Sequence, residues 1–171
     1  MHILREPSVY YDKIYMYTPN SHQEKIQDLK ELMDQISTKI GYPVLEIGTP
    51  TCNDIKDTSE YPNNNRKIVV SDDLINEPEK IQNKIANHYT HGRHHKISPT
   101  YLSQSYYDVP PKIRSNSSHL LLYPPPTKNH FNMIAKENLF DPMLFNKLGP
   151  YEFLFVDKEK KNVTKNFDEV I

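Results

Sequence analysis

One cysteine, Cys52, stands in 171 residues, so no internal disulfide can close; its expected role is a lone buried thiol in a reducing compartment. Glycine is nearly as scarce, four residues against 14 prolines, and with a mean hydropathy of -0.75 this predicts much exposed, irregular chain. None of Gly41, Gly48, Gly92 and Gly149 is followed by lysine. The phosphate-binding pattern Gly-x-x-x-x-Gly-Lys-Ser/Thr is therefore absent, and with it the backbone N–H groups and lysine that supply most of the grip on a nucleotide's phosphates. No apolar run approaches the roughly 20 residues that span a bilayer. Met1 to Tyr10 lacks the charged-then-apolar layout of a signal peptide. The expectation is a soluble, intracellular chain with no membrane partner. Charge of one sign is also missing: 21 Lys and Arg against 22 Asp and Glu leave a formal charge of -1. No global basic field announces nucleic acid, so any DNA contact must be local.

What is present is a globular balance, 36% hydrophobic and 25% charged, at the length of one domain. Strand-like and helix-like runs alternate, the signature of a mainly parallel sheet covered by helices. Lys13 to Tyr17 reads as a first strand ending at Pro19-Asn20. From Ser21 to Ile40, Ile26, Leu29, Leu32, Met33, Ile36 and Ile40 recur at three and four, predicting an amphipathic helix stopped by Gly41. A second strand is expected over Pro43 to Ile47, a loop over Gly48 to Arg66, and a third strand over Lys67 to Asp73. Glu77 to His91 reads as a helix with Pro78 in its first turn, Ile97 to Ser103 as a fourth strand, and Pro110 to Asn116 as a short helix. His119 to Tyr123 gives a fifth strand before the rigid Pro124-Pro125-Pro126. Two helices, near Asn129 to Asn138 and Asp141 to Lys147, precede a closing hairpin from Glu152 to Asn166. No repeat or composition shift marks a second domain, so residues 1–171 count as one. The sequons at Asn116 and Asn162 are of a kind that arises by chance.

An apolar strand ending in two acids, Asp72 and Asp73, is what a nucleotide-hydrolysing site requires, because the C-terminal edge of an open α/β sheet faces its ligand. One acid would hold a hydrated magnesium ion and the next would orient or deprotonate the attacking water; the plainer alternative is a strand leaving into a polar turn. Gln104, just past the next strand, has the neutral amide that positions water or senses a terminal phosphate, although alone it fits a surface loop equally. Arg93 and Arg114 flank that strand, and either guanidinium, supplied to a neighbouring subunit, would neutralise a phosphoryl group in transfer; singly, each also fits a solvated or salt-bridged surface role. His88, His91, His94 and His95 form a dense cluster at a helix end; a metal site there competes with the simpler reading of histidines suited to the helix dipole.

Taken in order, these features resemble the poxvirus-type genome-packaging ATPases of the FtsK–HerA superfamily, found in large DNA viruses, virophages and Maverick-type transposons. The matching stretches are Tyr11 to Tyr17, Ile68 to Leu74, Gly92-Arg93-His94, Tyr101 to Tyr106 and Ile113 to His119, and the tail from Pro150 to Asp168 is similar to the family's closing hairpin.

The resemblance implies a P-loop NTPase fold and a motor, a homo-oligomeric and hexameric ring, that uses ATP and magnesium to drive double-stranded DNA into a capsid. It implies capsid and packaging proteins as partners, in the host cytoplasm or the virion. By the same resemblance Asp72 is the magnesium-side acid, Asp73 the water-activating acid, Gln104 the sensor, and Arg93 or Arg114 the arginine finger. It also implies that the strand leading to the phosphate loop, central in the family between the sensor strand and the strand of His119 to Tyr123, is missing from a truncated chain that binds ATP and magnesium weakly or not at all. Ser71 departs from the bulky apolar residue usual in the family, which puts a small polar group on a buried strand. The alternative from another class is a non-catalytic structural or regulatory subunit that contacts DNA or an active packaging ATPase.

Overall fold

The computed structural model describes residues 11–51 and 54–167, with the backbone of 169 and 170; Cys52, Asp168 and the stretch from Met1 to Tyr10 lie outside them. The described residues fall into two compact units that divide between Asn116 and Ser117, where the sequence reads as one domain closed by a hairpin extension over residues 151–171.

The first unit is built on four short strands, β1 (Lys13–Tyr17), β2 (Leu45–Gly48), β3 (Lys67–Asp72) and β4 (Ile97–Leu102), all parallel, in the order β2-β1-β3-β4. Their β-branched and aromatic content suits a pleated, packed surface. Helix α1 (Glu24–Ile40) joins β1 to β2 and starts after the expected Ser21, because Gln23 N–H turns back to the Asn20 carbonyl. It stops where predicted: Gly41 takes φ 84°, the left-handed conformation that glycine adopts without strain, and its N–H caps Ser37. Helix α2 (Glu79–His91), with Pro78 at its N-cap, joins β3 to β4, and α3 (Pro111–Asn116) follows β4.

Alternation along the strands gives the sheet two unequal faces. Tyr15, Tyr17, Val69 and Ile97 point to one side, where they pack with Leu74, Ile81, Ile85, Ala86 and Ile113 into a single core beneath α2 and α3. Ser71 lies on this face, 1% exposed. Gly92 approaches β4 closely: a Cβ there would meet Ile97 Cβ at 3.2 Å. The opposite face is only partly covered, with Met16 buried there at 6% exposure. Ile14, Ile68 and Val70 remain partly exposed and Leu102 is 46% exposed, although parallel sheets bury both faces as a rule. The α1 stripe shares this condition. No α1 residue is buried, and Leu32, Ile36 and Ile40 stay open to solvent, the helix packing chiefly along β2 at the sheet's edge.

The stretch from Gly48 to Arg66, expected as a polar loop, is strapped into the core. Ile55 and Tyr61 are 0% and 2% exposed. Tyr61 and Tyr17 share a hydroxyl–hydroxyl bond of 3.0 Å, Lys84 Nζ donates to the Ile55 carbonyl at 2.9 Å, and the Tyr61 ring sits edge-on to Tyr15 and to His88. His88, 1% exposed, has Nε2 2.9 Å from the Lys56 carbonyl. A carbonyl can only accept, so Nε2 carries the hydrogen and Nδ1, which has no partner, is the bare nitrogen.

The second unit is an antiparallel sheet, β5 (His119–Leu122), β6 (Leu154–Asp157), β7 (Asn162–Lys165) and β8 (Glu169–Val170), in that order. The expected hairpin is β6–β7. The strand His119 to Tyr123, placed by the resemblance in the parallel sheet, instead pairs antiparallel with β6: Leu120 opposite Val156 and Leu122 opposite Leu154 join two apolar rows on one face. Leu122, Leu154 and Val156 on that face are buried, as are Ile134 and Ala135 of α4 (Lys128–Asn138) and Phe145 of the 3-10 turn Pro142–Lys147, which packs against α4. Thr127 and Asp141 cap those two elements by accepting from His130 and Met143 N–H.

The unequal faces make a contrast measurable by urea unfolding. Ile85→Ala, in the core, is expected to cost about 2–5 kcal/mol, and Ile36→Ala, on the open stripe, less than about 0.5 kcal/mol. Equal losses would mean that the stripe is covered in solution. Acid should also act through His88. Burial holds its folded pKa below the ordinary value, against the Lys56 carbonyl and the Asp57 charge, which raise it, while Lys84 lowers it. The unfolded state therefore binds the proton first, and stability falls as pH drops below about 6.5. Tm measured from about pH 7.5 to 5.5 is expected to decline, and the decline to shrink in His88→Gln, which keeps a donor for Lys56.

Candidate functional site

The C-terminal ends of β1, β3 and β4 meet in register. Tyr17 lies beside Ser71, which lies beside Tyr101, and Asp72 pairs with Leu102. Three of the sequence-predicted residues gather at this end. Asp72 is the last residue of β3. Asp73 follows it in the left-handed region at φ 53°, its backbone N–H still donating to the Leu102 carbonyl at 3.1 Å. This extra bond extends the ladder by one residue past the strand while turning the second carboxylate off the strand's alternation. Gln104 stands two residues beyond Leu102, exposed, in a turn closed by Ser103 Oγ on the Ser105 carbonyl at 2.9 Å.

Sequence reasoning passes over Thr18. It is 0% exposed, directly follows β1, and its hydroxyl donates to Asp72 Oδ2 at 2.9 Å while accepting from Asn20 N–H at 3.1 Å. One carboxylate oxygen is thereby fixed by a buried group that the start of the next turn also holds. The signal available in the sequence was a hydroxyl one residue past an apolar strand, too common to single out without the register. Tyr101 is a second such residue. Its hydroxyl donates to Gln82 Oε1 at 3.4 Å; burial raises its pKa first, and the carboxylates of Asp73 and Glu77 raise it further, against the Gln82 bond. The Asp73 carboxylate is therefore near Tyr101, whereas that of Asp72 is with Thr18.

The two arginines are elsewhere. Arg93 lies in the short 3-10 turn Gly92–His95 that enters β4, exposed, at the N-terminal end of that strand. Six residues of strand separate this end from the acids, roughly 20 Å, so Arg93 does not reach the acids of its own chain. Arg114 NH1 donates to the carbonyls of Tyr107 at 3.2 Å and Val109 at 2.8 Å. The histidines do not converge: His88 turns inward to Lys56, His91 bonds Thr90, and His95 bonds Asn63. Among the described residues no group of three His, Cys, Asp or Glu gathers to hold a metal. No described helix is long and apolar enough to cross a membrane.

A family profile described as Poxvirus A32 protein matches residues 8–143. No match to a curated protein is found. The fold is similar to that of the DNA-packaging ATPase B204 from Sulfolobus turreted icosahedral virus, with TM-score 0.63 at 12% identity over 93% of this chain and 83% of that one. It is also similar to the genome-packaging NTPase B204 from Sulfolobus turreted icosahedral virus 2 in complex with sulfate, with TM-score 0.59 at 13% identity over 93% and 82%. The same NTPase in complex with ATP-gammaS gives TM-score 0.51 at 11% identity over 94% and 98%. The likeness bears out the α/β fold of P-loop packaging NTPases, with a parallel four-stranded sheet flanked by helices and a small antiparallel sheet after it.

Thr18→Val keeps the shape and removes the hydroxyl. A hydrogen bond to a charged group contributes about 1.5–3 kcal/mol, and a loss in that range is expected in chemical denaturation, with a smaller loss when Asp72→Ala is already present and only the Asn20 N–H bond remains to be lost. Full additivity of the two substitutions would show that the bond is not formed.

Proposed function

The chain belongs to the poxvirus A32 protein family, and from that premise we propose that it is part of a viral genome-packaging ATPase, the motor that moves double-stranded DNA into a capsid. In this reading Asp72 is the magnesium-side acid, Asp73 orients or deprotonates the attacking water, and Gln104 senses the terminal phosphate. The supporting observation is the Thr18 hydroxyl on Asp72 Oδ2, at a strand end paired with the strand that leads to Gln104. A buried donor that presets one oxygen of a strand-end carboxylate has a clear use where the other oxygen must meet a cation. The donor set fits magnesium, which takes one or two carboxylates and fills its remaining positions with water and substrate phosphates. Asp72 would hold the ion, which supplies charge neutralisation at the phosphates; Thr18 keeps the carboxylate oriented, and Asp73 acts on the water.

These residues contain no glycine-rich loop. In this reading the phosphate grip is supplied from outside these residues. A strand and helix that carry the loop have a place to pack: the outer edge of β4 and the partly covered face formed by Ile68, Val70 and Leu102. The motor acts as a homo-oligomeric ring, with capsid and packaging proteins as its further partners.

One observation favours a second reading, a non-catalytic subunit of a packaging motor. Lys67 N–H donates to Lys96 and Asp73 N–H to Leu102, so Lys96, Ser98, Thr100 and Leu102 bond toward β3. Ile97, Pro99 and Tyr101 then present their backbones to the outer edge, and Pro99 has no N–H to give. A strand laid along that edge meets an interrupted ladder, and proline is ordinarily confined to sheet edges.

Co-expression with the loop-bearing segment of a family member, itself without the two acids, separates the readings. Magnesium-dependent ATPase activity of the purified assembly is expected to fall by about 10²–10⁴ when Asp73→Asn is placed in this chain. The chain alone is expected to show no ATP binding at micromolar nucleotide by calorimetry. Unchanged activity in the substituted assembly would leave the subunit reading standing, and micromolar binding by the chain alone would contradict both.

A further inference from the structure

Arg114 is held by at least four contacts. NH1 donates to the carbonyls of Tyr107 and Val109, and the guanidinium carbon lies 5.1 Å from the Tyr106 ring centroid and 5.2 Å from that of Tyr107. The two rings stand edge to face, 5.1 Å apart at 87°, so the planar cation contacts both. These four contacts belong to one segment, residues 106–109, immediately after Gln104. The anchor on the other side is firm: Ile113, adjacent to Arg114 in α3, is 1% exposed in the core, and α3 packs against α2. The segment that carries Gln104 is thus tied at one end by β4, at its turn by Ser103, and at its far end by one guanidinium.

We propose that Arg114 is a positioning residue acting within its own chain, one that sets the 103–109 segment so that Gln104 stands at the end of β4, and that it is not the arginine supplied to a neighbouring subunit. A finger must be free to extend toward the next subunit; here NH1 is committed to two carbonyls and the guanidinium lies against two rings. The contacts also explain the residue type. A flat, delocalised cation with several donors serves two carbonyls and two rings together, whereas the compact ammonium of lysine cannot hold both sets. The proposal rests on the reading of Gln104 as a phosphate sensor only for its catalytic consequence; the tie itself does not depend on that reading.

Two measurements decide it. In the chain alone, hydrogen–deuterium exchange of the peptide covering 103–110 is expected to quicken at least several-fold in Arg114→Ala, with Arg114→Lys intermediate and the β3 peptide unchanged. Unaltered exchange of 103–110 in folded Arg114→Ala would overturn the proposal. If Arg114→Ala does not fold, Tyr106→Leu with Tyr107→Leu, which strips the ring contacts and leaves the arginine, is expected to show the same local quickening; its absence there would overturn the proposal equally.

In the co-expressed assembly, Arg114→Ala is expected to raise KM for ATP more than it lowers kcat, with partial rescue by Arg114→Lys. Mixing Arg114→Ala chains with Asp73→Asn chains is expected to restore nothing, because no chain then has both groups. Recovery several-fold above either variant alone would assign Arg114 to the neighbouring site and refute action in cis. If even the unsubstituted assembly has no ATPase activity, the hydrolase reading fails, and the exchange result alone decides the role of Arg114.

Discussion

The parallel pairing of β3 between β1 and β4 is the constraint on which the first unit depends. Its register brings Asp72 beside Leu102 and, through β1, within reach of Thr18. It also turns Lys67, Val69 and Ser71 toward α2. A slip of one residue would exchange the two faces, exposing Val69 and burying Asp72. The acid is therefore fixed by the same alternation that builds the core, and the site cannot be moved without unpacking the helix beneath it.

That dependence explains how much of the fold was legible. Strands such as Lys13–Tyr17 and Lys67–Asp72 carry dense β-branched and aromatic runs between turn residues, and the alternation with helices gives the parallel arrangement directly. Gly41 as the stop of α1 follows from local backbone chemistry and needs no tertiary context. The strap around Ile55 and Tyr61 was not legible, because its burial comes from partners 29 to 44 residues distant, the Tyr17 hydroxyl, the Lys84 amine and the His88 imidazole, which no local pattern reveals. The antiparallel partnership of β5 was hidden for the same reason: Leu120 and Leu122 suit either sheet, and only Leu154 and Val156 opposite them settle the choice.

At the site, residues chosen for their charge and their place at strand ends were readable, and those whose role is to hold others were not. Asp72, Asp73 and Gln104 stand out because strand ends face ligands in open sheets. Thr18 and Tyr101 do not, since a hydroxyl earns notice only once its partner is known. Arg114 shows the converse. A guanidinium near the strand that leads to Gln104 invites a role toward phosphate, yet its NH1 donates to the carbonyls of Tyr107 and Val109.

The thinly covered sheet face carries a thermodynamic consequence. The heat-capacity increment of unfolding scales with the apolar area that becomes hydrated, and here Ile68, Val70 and Leu102 are partly hydrated before unfolding begins. The increment should be smaller than the chain's length would imply, and the dome of stability against temperature correspondingly shallow. Association with anything that dries this face would steepen the curve, so assembly would be read by the calorimeter as a change of curvature as well as of midpoint.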